Sequence, residues 1–401
     1  MKPRLSSLKI ENFRMLENLE IKKLGNVNLI VGKNNSGKST VLEALRVYAG
    51  CANPNLLEKI SLSHYERQSV KAVSLDDKNI ETFPVHYQHF FSGRKFPDFD
   101  SITISIGGID GDTLNIHHSL LERYEERKEQ KDGSVIVSTQ NKLISKEIIS
   151  KENYNLSFNL NVVQSIAVAK NNKLMYRLLE GMYSPFNQQD IMVNLDLINC
   201  KYVSSSISSL LMNKLGKMWD KVGFSSDEKY IYEALKIIHP DFEALQFVAS
   251  VEDHFSQFKG YQPNSRLAMV KLFGEDKKIP LSSMGDGMLR ILSLILNLIS
   301  AKDGFLLIDE FENGLHYSIQ PKVWALIFKL AKDFNIQVFA TTHSKDCVES
   351  FSEEVLKNDE VEGVLIEMGR SAAKNNLNAV IATEYSEEEL ADLISMNMEV
   401  R

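Results

Sequence analysis

Four short segments carry the residues that could do chemistry. Gly32-Lys33-Asn34-Asn35-Ser36-Gly37-Lys38-Ser39 has the spacing G-x-x-x-x-G-K-[ST]. In that pattern glycines let the backbone turn so that successive N–H groups and a helix N-terminus surround phosphate oxygens. Lys38 would bridge the β and γ phosphates of a nucleotide and Ser39 would ligate Mg²⁺. Asn34, Asn35, Gly37 and Thr40 complete this candidate nucleotide-binding set.

The second segment, Phe305-Leu306-Leu307-Ile308-Asp309-Glu310, is an apolar run ending in two acids. This order suits Asp309 to the Mg²⁺ shell and Glu310 to the attacking water, as general base. In the third, Thr341-Thr342-His343-Ser344 follows the apolar Val338-Phe339-Ala340. His343 is therefore expected at the carboxyl edge of a sheet, where ligands bind in open α/β folds and where it could contact a γ-phosphate. The fourth, Leu281-Ser282-Ser283-Met284-Gly285-Asp286-Gly287, opens an apolar helix and forms a second N-terminal anion site. With ATP held by the first site, this loop makes sense if it reaches the γ-phosphate of another subunit's nucleotide.

Definite elements must hold these segments. Val27-Asn28-Leu29-Ile30-Val31 reads as a buried strand ending at Gly32, followed by a helix over Lys38 to Tyr48. From Leu281 onward loop, helix, strand (Phe305 to Ile308), helix (about Ser318 to Asp333) and strand (Ile336 to Ala340) alternate, an α/β order. Between about 80 and 175 lie short alternating runs such as Ile102 to Ile106 and Leu156 to Leu160, divided by Gly107-Gly108, Asp110-Gly111 and Asp132-Gly133; these predict an antiparallel β layer. The balanced charge run Leu121 to Glu129 is expected as a solvated helix or loop. Apolar residues at helical spacing from Ser208 to Leu245 predict a helical insertion broken at Gly223 and Pro240. The division expected is a nucleotide-loop lobe over 1–205, the helical insertion over 206–246 and a second α/β lobe over 247–401.

Composition sets outer bounds. The chain has 401 residues, 43% hydrophobic and 25% charged, an ordinary folded composition with room for more than one lobe. A net charge of -7 argues against coating nucleic acid unaided, although a local basic groove stays open. Cys51, Cys200 and Cys347 are too scattered for a disulfide framework or zinc knuckle. Neither a secretory signal nor a spanning segment is expected, because the run Met288 to Ile299 is short and carries Arg290 and Asn297. These features fit a cytoplasmic protein.

The four segments, in this order and around this insertion, resemble the ATP-binding-cassette ATPases of the SMC, RecF and OLD type. The opening Leu5-Ser6-Ser7-Leu8-Lys9-Ile10-Glu11-Asn12-Phe13-Arg14 and the run Asp309-Glu310-Phe311-Glu312-Asn313-Gly314-Leu315-His316 are similar to that branch rather than to transporter motors. The resemblance implies an α/β P-loop ABC fold with an inserted antiparallel β layer and a short helical arm. It further implies ATP hydrolysis with Mg²⁺, Ser283 and Gly285 as signature residues acting across a dimer or higher even-numbered oligomer, and Asn313 to His316 as a D-loop. The Q-loop role stays unassigned between Gln88 and Gln140.

OLD proteins proper add a TOPRIM nuclease, and the tail after His343 is shorter than a further domain of about 100 residues. Asp98-Phe99-Asp100 is a weak candidate for metal. The chain resembles a stand-alone ATPase subunit of two-gene antiphage systems such as PARIS, in which the ATPase controls a separate nuclease or toxin. The alternative is a RecF-like repair ATPase that clamps duplex DNA directly.

Overall fold

The computed structural model describes residues 2–66, 70–73, 79–82, 85–97, 103–129, 135–143, 162–180, 197–205, 211–249, 266–373 and 378–395. The chain begins with the hairpin β1 (Leu8–Phe13) and β2 (Leu16–Ile21), then β3 (Val27–Gly32) and helix α1 (Lys38–Ala49). A small ribbon follows, β4 (Val70–Val73) with β5 (Asn79–Thr82). Next come β6 (Thr103–Gly107), β7 (Thr113–Glu129), β8 (Val135–Leu143), β9 (Val162–Lys170), β10 (Lys173–Leu179) and β11 (Cys200–Val203). Helices Leu211–Val222 and Glu228–Ile238 precede β12 (Phe242–Ala249), β13 (Arg266–Leu272) and β14 (Ile279–Pro280). The last part alternates helix Asp286–Ser300, β15 (Phe305–Ile308), helix Gln320–Asp333, β16 (Gln337–Thr342), helix Lys345–Lys357, β17 (Gly363–Arg370) and β18 (Val380–Tyr385).

Two sheets organise the molecule. The central one has the order β11-β15-β16-β3-β17-β18 and is parallel except for its β18 edge. The other is antiparallel, in the order β10-β9-β7-β6-β1-β2 with β8 paired to β7. Strand periodicity sorts the central core by face. Leu306, Ile308, Val338, Ala340, Leu29 and Leu365 join the helices beyond one face. Phe305, Leu307, Phe339, Ile30, Val364 and Ile366 join α1 and the antiparallel layer on the other. Burial on both faces explains why these strands read as unbroken apolar runs, and each buried Leu, Ile, Val or Phe among them contributes about 1.5–3 kcal/mol.

The insertion returns to the centre through β11, whose Cys200 to Val203 lie beside Phe305 to Ile308. Residues distant in sequence thus complete the sheet that carries the acids. No helix among the described residues is long and apolar enough to cross a membrane.

Some expectations need correction. The charge run Leu121 to Glu129 is neither helix nor loop but the outer half of β7, paired with Leu143 to Val135 of β8. Strand pairing overrides a local pattern that looks merely solvated, because strand formation depends on pairing context more than on local composition. The helical pattern ends at Ile238; Leu245 lies in β12, opposite Val270. The helix expected from about Ser318 starts with a short 3₁₀ turn, Tyr317–Ile319, and becomes α-helical at Gln320. The runs at Leu156 to Leu160 and Asp98 to Asp100 lie outside the described residues.

Candidate active site

Strand β3 is buried along its length and delivers the chain into the glycine loop at fixed height. Gly32 has φ +150°, and a Cβ there would lie 2.3 Å from the Met368 carbonyl oxygen, so a side chain would separate the loop from β17. Gly37, with φ +98°, precedes α1, a conformation that glycine adopts without a Cβ penalty. Asn34 and Asn35 are exposed on the loop, Ser39 is exposed at the helix start, and Lys38 and Thr40 are half-buried.

Lys38 Nζ donates to the carbonyls of Gly32 at 2.7 Å and Lys33 at 3.0 Å. Burial holds its ammonium pKa below the ordinary lysine value, against the opposing charges of Glu312, Asp309 and Glu310. The charges of three carboxylates thus act on one lysine at the mouth of the loop. The first turn of α1 brings Ser39 Oγ to 3.0 Å from Asp309 Oδ1.

Asp309 is almost wholly buried, yet its oxygens are satisfied. Oδ1 also accepts from the Thr341 hydroxyl at 2.9 Å, and Oδ2 from the Tyr202 hydroxyl at 3.2 Å. Burial, reinforced by Asp309, pushes the Tyr202 phenol pKa up, keeping it a neutral donor. The Arg46 guanidinium, from the third turn of α1, lies 4.3 Å from the centre of the Tyr202 ring.

Glu310 stands at φ +47° and is held through its backbone. Its N–H donates to Thr341 Oγ1 at 2.9 Å. Arg290, on the helix Asp286–Ser300, donates to the carbonyls of Asp309 at 2.9 Å, Glu310 at 2.7 Å and Ser204 at 2.6 Å. Burial lowers the Arg290 pKa from the ordinary guanidinium value, while Asp309, Glu312 and Glu310 oppose that shift. A buried cation stabilised by carbonyls therefore clamps both acidic positions.

His343 is exposed at the end of β16, with Nδ1 2.9 Å from Glu312 Oε1. Ser283 lies exposed in the 3₁₀ turn Leu281–Met284, and Gly285, at φ +90°, opens the helix that carries Arg290. Among the described residues no hydrogen bond joins Ser283 or Gly285 to the glycine loop of the same chain. Gln88 falls in the short turn Tyr87–Phe90 and Gln140 in β8, so both belong to inserted structure.

The fold thus assembles Lys38, Ser39, Asp309 and Glu310 at the carboxyl ends of β3 and β15, beside His343 at the end of β16. Tyr202, Arg290, Thr341 and Glu312 complete the assembly; Thr341 and Glu312 lie within the quoted segments, but the sequence assigned a role to none of the four. Tyr202 belongs to no motif and follows the insertion. Arg290 looked like an interruption in an apolar helix. Glu312 did offer a signal, an acid two residues beyond Glu310, but local spacing gave it no partner.

The chain belongs to the AAA ATPase domain family, whose model matches residues 1–238 and 225–348. It is 24% identical over 371 residues to an ATP/GTP phosphatase of Helicobacter pylori, covering 88% of this chain and 89% of that protein. It is 45% identical over 101 residues to the DNA replication and repair protein RecF of Saccharophagus degradans, covering 25% of this chain and 27% of that one. A solved Smc head bound to the C-terminal winged-helix domain of ScpA aligns over 99% of this chain and 100% of its own, with a TM-score of 0.47 and 12% identity.

Proposed function

We propose that the protein is an ATP-hydrolysing switch that dimerises around Mg-ATP and controls a separate effector, a nuclease or toxin, in antiphage defence. The observation that carries the hydrolytic part is the 3.0 Å contact of Ser39 Oγ with Asp309 Oδ1, between residues 270 positions apart. A hydroxyl and a carboxylate side by side are hard oxygen donors of the kind Mg²⁺ takes. Ser39 and Asp309 would hold that ion, which when bound would neutralise charge on the phosphate oxygens. The H. pylori relative, named as an ATP/GTP phosphatase, supports the same reaction class.

In this reading Lys38 and the N–H groups of the loop, with Asn34, Asn35, Gly37 and Thr40, bind the phosphates. Glu310 takes the proton of the attacking water, and its held backbone keeps the carboxylate in place during the reaction. His343 meets the γ-phosphate. Ser283 and Gly285 complete the site of a second subunit; their exposure on a turn ahead of the Arg290 helix supports that role. Closing the dimer would then press on the helix whose Arg290 grips the Asp309 and Glu310 carbonyls.

The net charge of -7 favours control of a protein effector over direct DNA clamping. The RecF match over a quarter of the chain supports a second reading, in which duplex DNA is the partner and binding weakens steeply with salt. The purified protein is expected to release phosphate from Mg-ATP without cutting DNA or RNA. Phage protection is expected to need a second polypeptide and to vanish with Lys38→Ala. Nucleic-acid cleavage by this chain alone would overturn the division of labour, and tight salt-dependent duplex binding would favour the repair reading.

A further inference from the structure

Glu312 makes more contacts with the end of β16 than any role yet given to it requires. Its Oε2 accepts from the Thr342 hydroxyl at 2.8 Å, and its Oε1 accepts from the His343 backbone N–H at 3.1 Å. The same Oε1 meets His343 Nδ1 at 2.9 Å. The Glu312 side chain is 13% exposed against 53% for His343, and Thr342 is fully buried. A mostly buried carboxylate therefore grips an exposed ring through an anchored strand end. With Nδ1 turned to this carboxylate, the other ring nitrogen, Nε2, is left for the substrate side.

The neighbouring threonine works on the opposite side. Thr341 bonds Asp309 and the Glu310 backbone, whereas Thr342 bonds Glu312. Successive side chains of a strand point to opposite faces, so β16 reaches both ends of the acidic loop. Thr342 also lies opposite Val31 of β3, one residue before the glycine loop begins. Among the carboxylates acting on Lys38, the largest effect comes from Glu312. The acidic loop and the histidine thus meet at this side chain.

Resting on the hydrolytic reading above, we propose that Glu312 is a positioning residue for ATP hydrolysis. It fixes the His343 ring and the end of β16 relative to the acidic loop, and acts through His343 rather than as the base. Loss of this fixing should slow chemistry and spare binding, because small misplacements of a reacting group cost about 10²-fold.

The test measures kcat, and Mg-ATP affinity by calorimetry, for Glu312→Ala, Glu312→Gln, His343→Ala and the Glu312→Ala/His343→Ala double variant. Glu312→Ala and His343→Ala should each lower kcat by about 10- to 100-fold with affinity within about twofold of wild type. The double variant should be no slower than the slower single one, since both changes break one unit. Glu312→Gln, which keeps the length of the side chain and one acceptor oxygen for the end of β16, should recover most of the rate. Additive losses, a glutamine variant as slow as the alanine variant, or wild-type kcat in Glu312→Ala would each overturn the assignment. Should Glu312→Ala not fold, a slow His343→Ala beside a fast Glu312→Gln supports it and the reverse order refutes it. Lys38→Ala separates the two levels. If that variant hydrolyses normally, the hydrolytic reading has failed; if it is inactive while Glu312→Ala is normal, only the role of Glu312 has.

Discussion

The central sheet and the antiparallel layer are built on different terms. Strand β16 is buried at all six positions and β15 at all four, so nothing along them meets water until their carboxyl ends. There the chain turns into Asp309, Glu310, Thr341, Thr342 and His343. The outer half of β7 carries charge after charge through Glu129, and its partner β8 exposes Val137 and Leu143. Parallel strands covered on both faces concentrate polar chemistry at their ends, whereas an antiparallel strand with one wet face spreads it along its length.

Where the two regions meet, a buried ion network stands beside the apolar core that they share. Arg14, in the turn of the β1–β2 hairpin, forms a two-pronged pair with Glu66 at 2.9 and 3.1 Å. Its Nε lies 3.1 Å from Glu43 of α1, and Arg94 reaches Glu66 at 2.7 Å. Burial raises the Glu66 carboxyl pKa, but hydrogen bonds and charge from Arg14, with Arg94, outweigh it and hold the group below its ordinary value. The helix that starts at the glycine loop is thereby tied to the inserted layer.

If the sheet ends hold the chemistry, the largest effect falls there. Lys38→Ala removes the cation facing Asp309, Glu310 and Glu312, and Mg-ATP binding and hydrolysis should both collapse in calorimetry and phosphate-release assays. Unchanged binding would remove the glycine loop from the account. Ser283→Arg should also inactivate, but across subunits. Mixing it with Lys38→Ala leaves one composite site per mixed dimer with neither lesion, so activity should partly return. No recovery, with mixed dimers demonstrated by mass, would place the signature contacts within one chain.

At the seam the expected effect is on stability rather than turnover. Glu66→Ala leaves the buried Arg14 guanidinium with Glu43 as its remaining carboxylate and should cost at most about 3–5 kcal/mol, read as a lower urea midpoint. Since folding lowers the Glu66 pKa, its stabilisation is present above the unfolded carboxylate value and is lost as pH falls through the folded one. The stability gap between wild type and variant should therefore narrow in acid; a gap independent of pH would deny Glu66 this role. The smallest effect is expected from Tyr202→Phe, which takes one of three hydroxyl donors from Asp309. Such a bond is worth about 0.5–1.5 kcal/mol, so kcat should fall only severalfold.

The same contrast explains what could be read in the sequence. The glycine loop, the acid pair and His343 were legible because each sits at the end of an apolar run, so spacing and environment coincide. Tyr202 was not, since only the return of the chain through β11 brings it to Asp309. Arg290 was hidden because its partners are backbone carbonyls of a loop distant in sequence. The charge run on β7 misled for the opposite reason: its fate was decided by pairing with β8, which local composition does not encode.

The proposed hydrolysis depends above all on Glu310, held by Thr341 and Arg290 at the end of β15, as the base that activates water. Single-turnover hydrolysis by Glu310→Gln, measured alongside its Mg-ATP affinity, tests it most directly. The rate should fall about 10²- to 10⁴-fold below wild type, with affinity retained and an ATP-bound dimer accumulating. Wild-type turnover in that variant would contradict it.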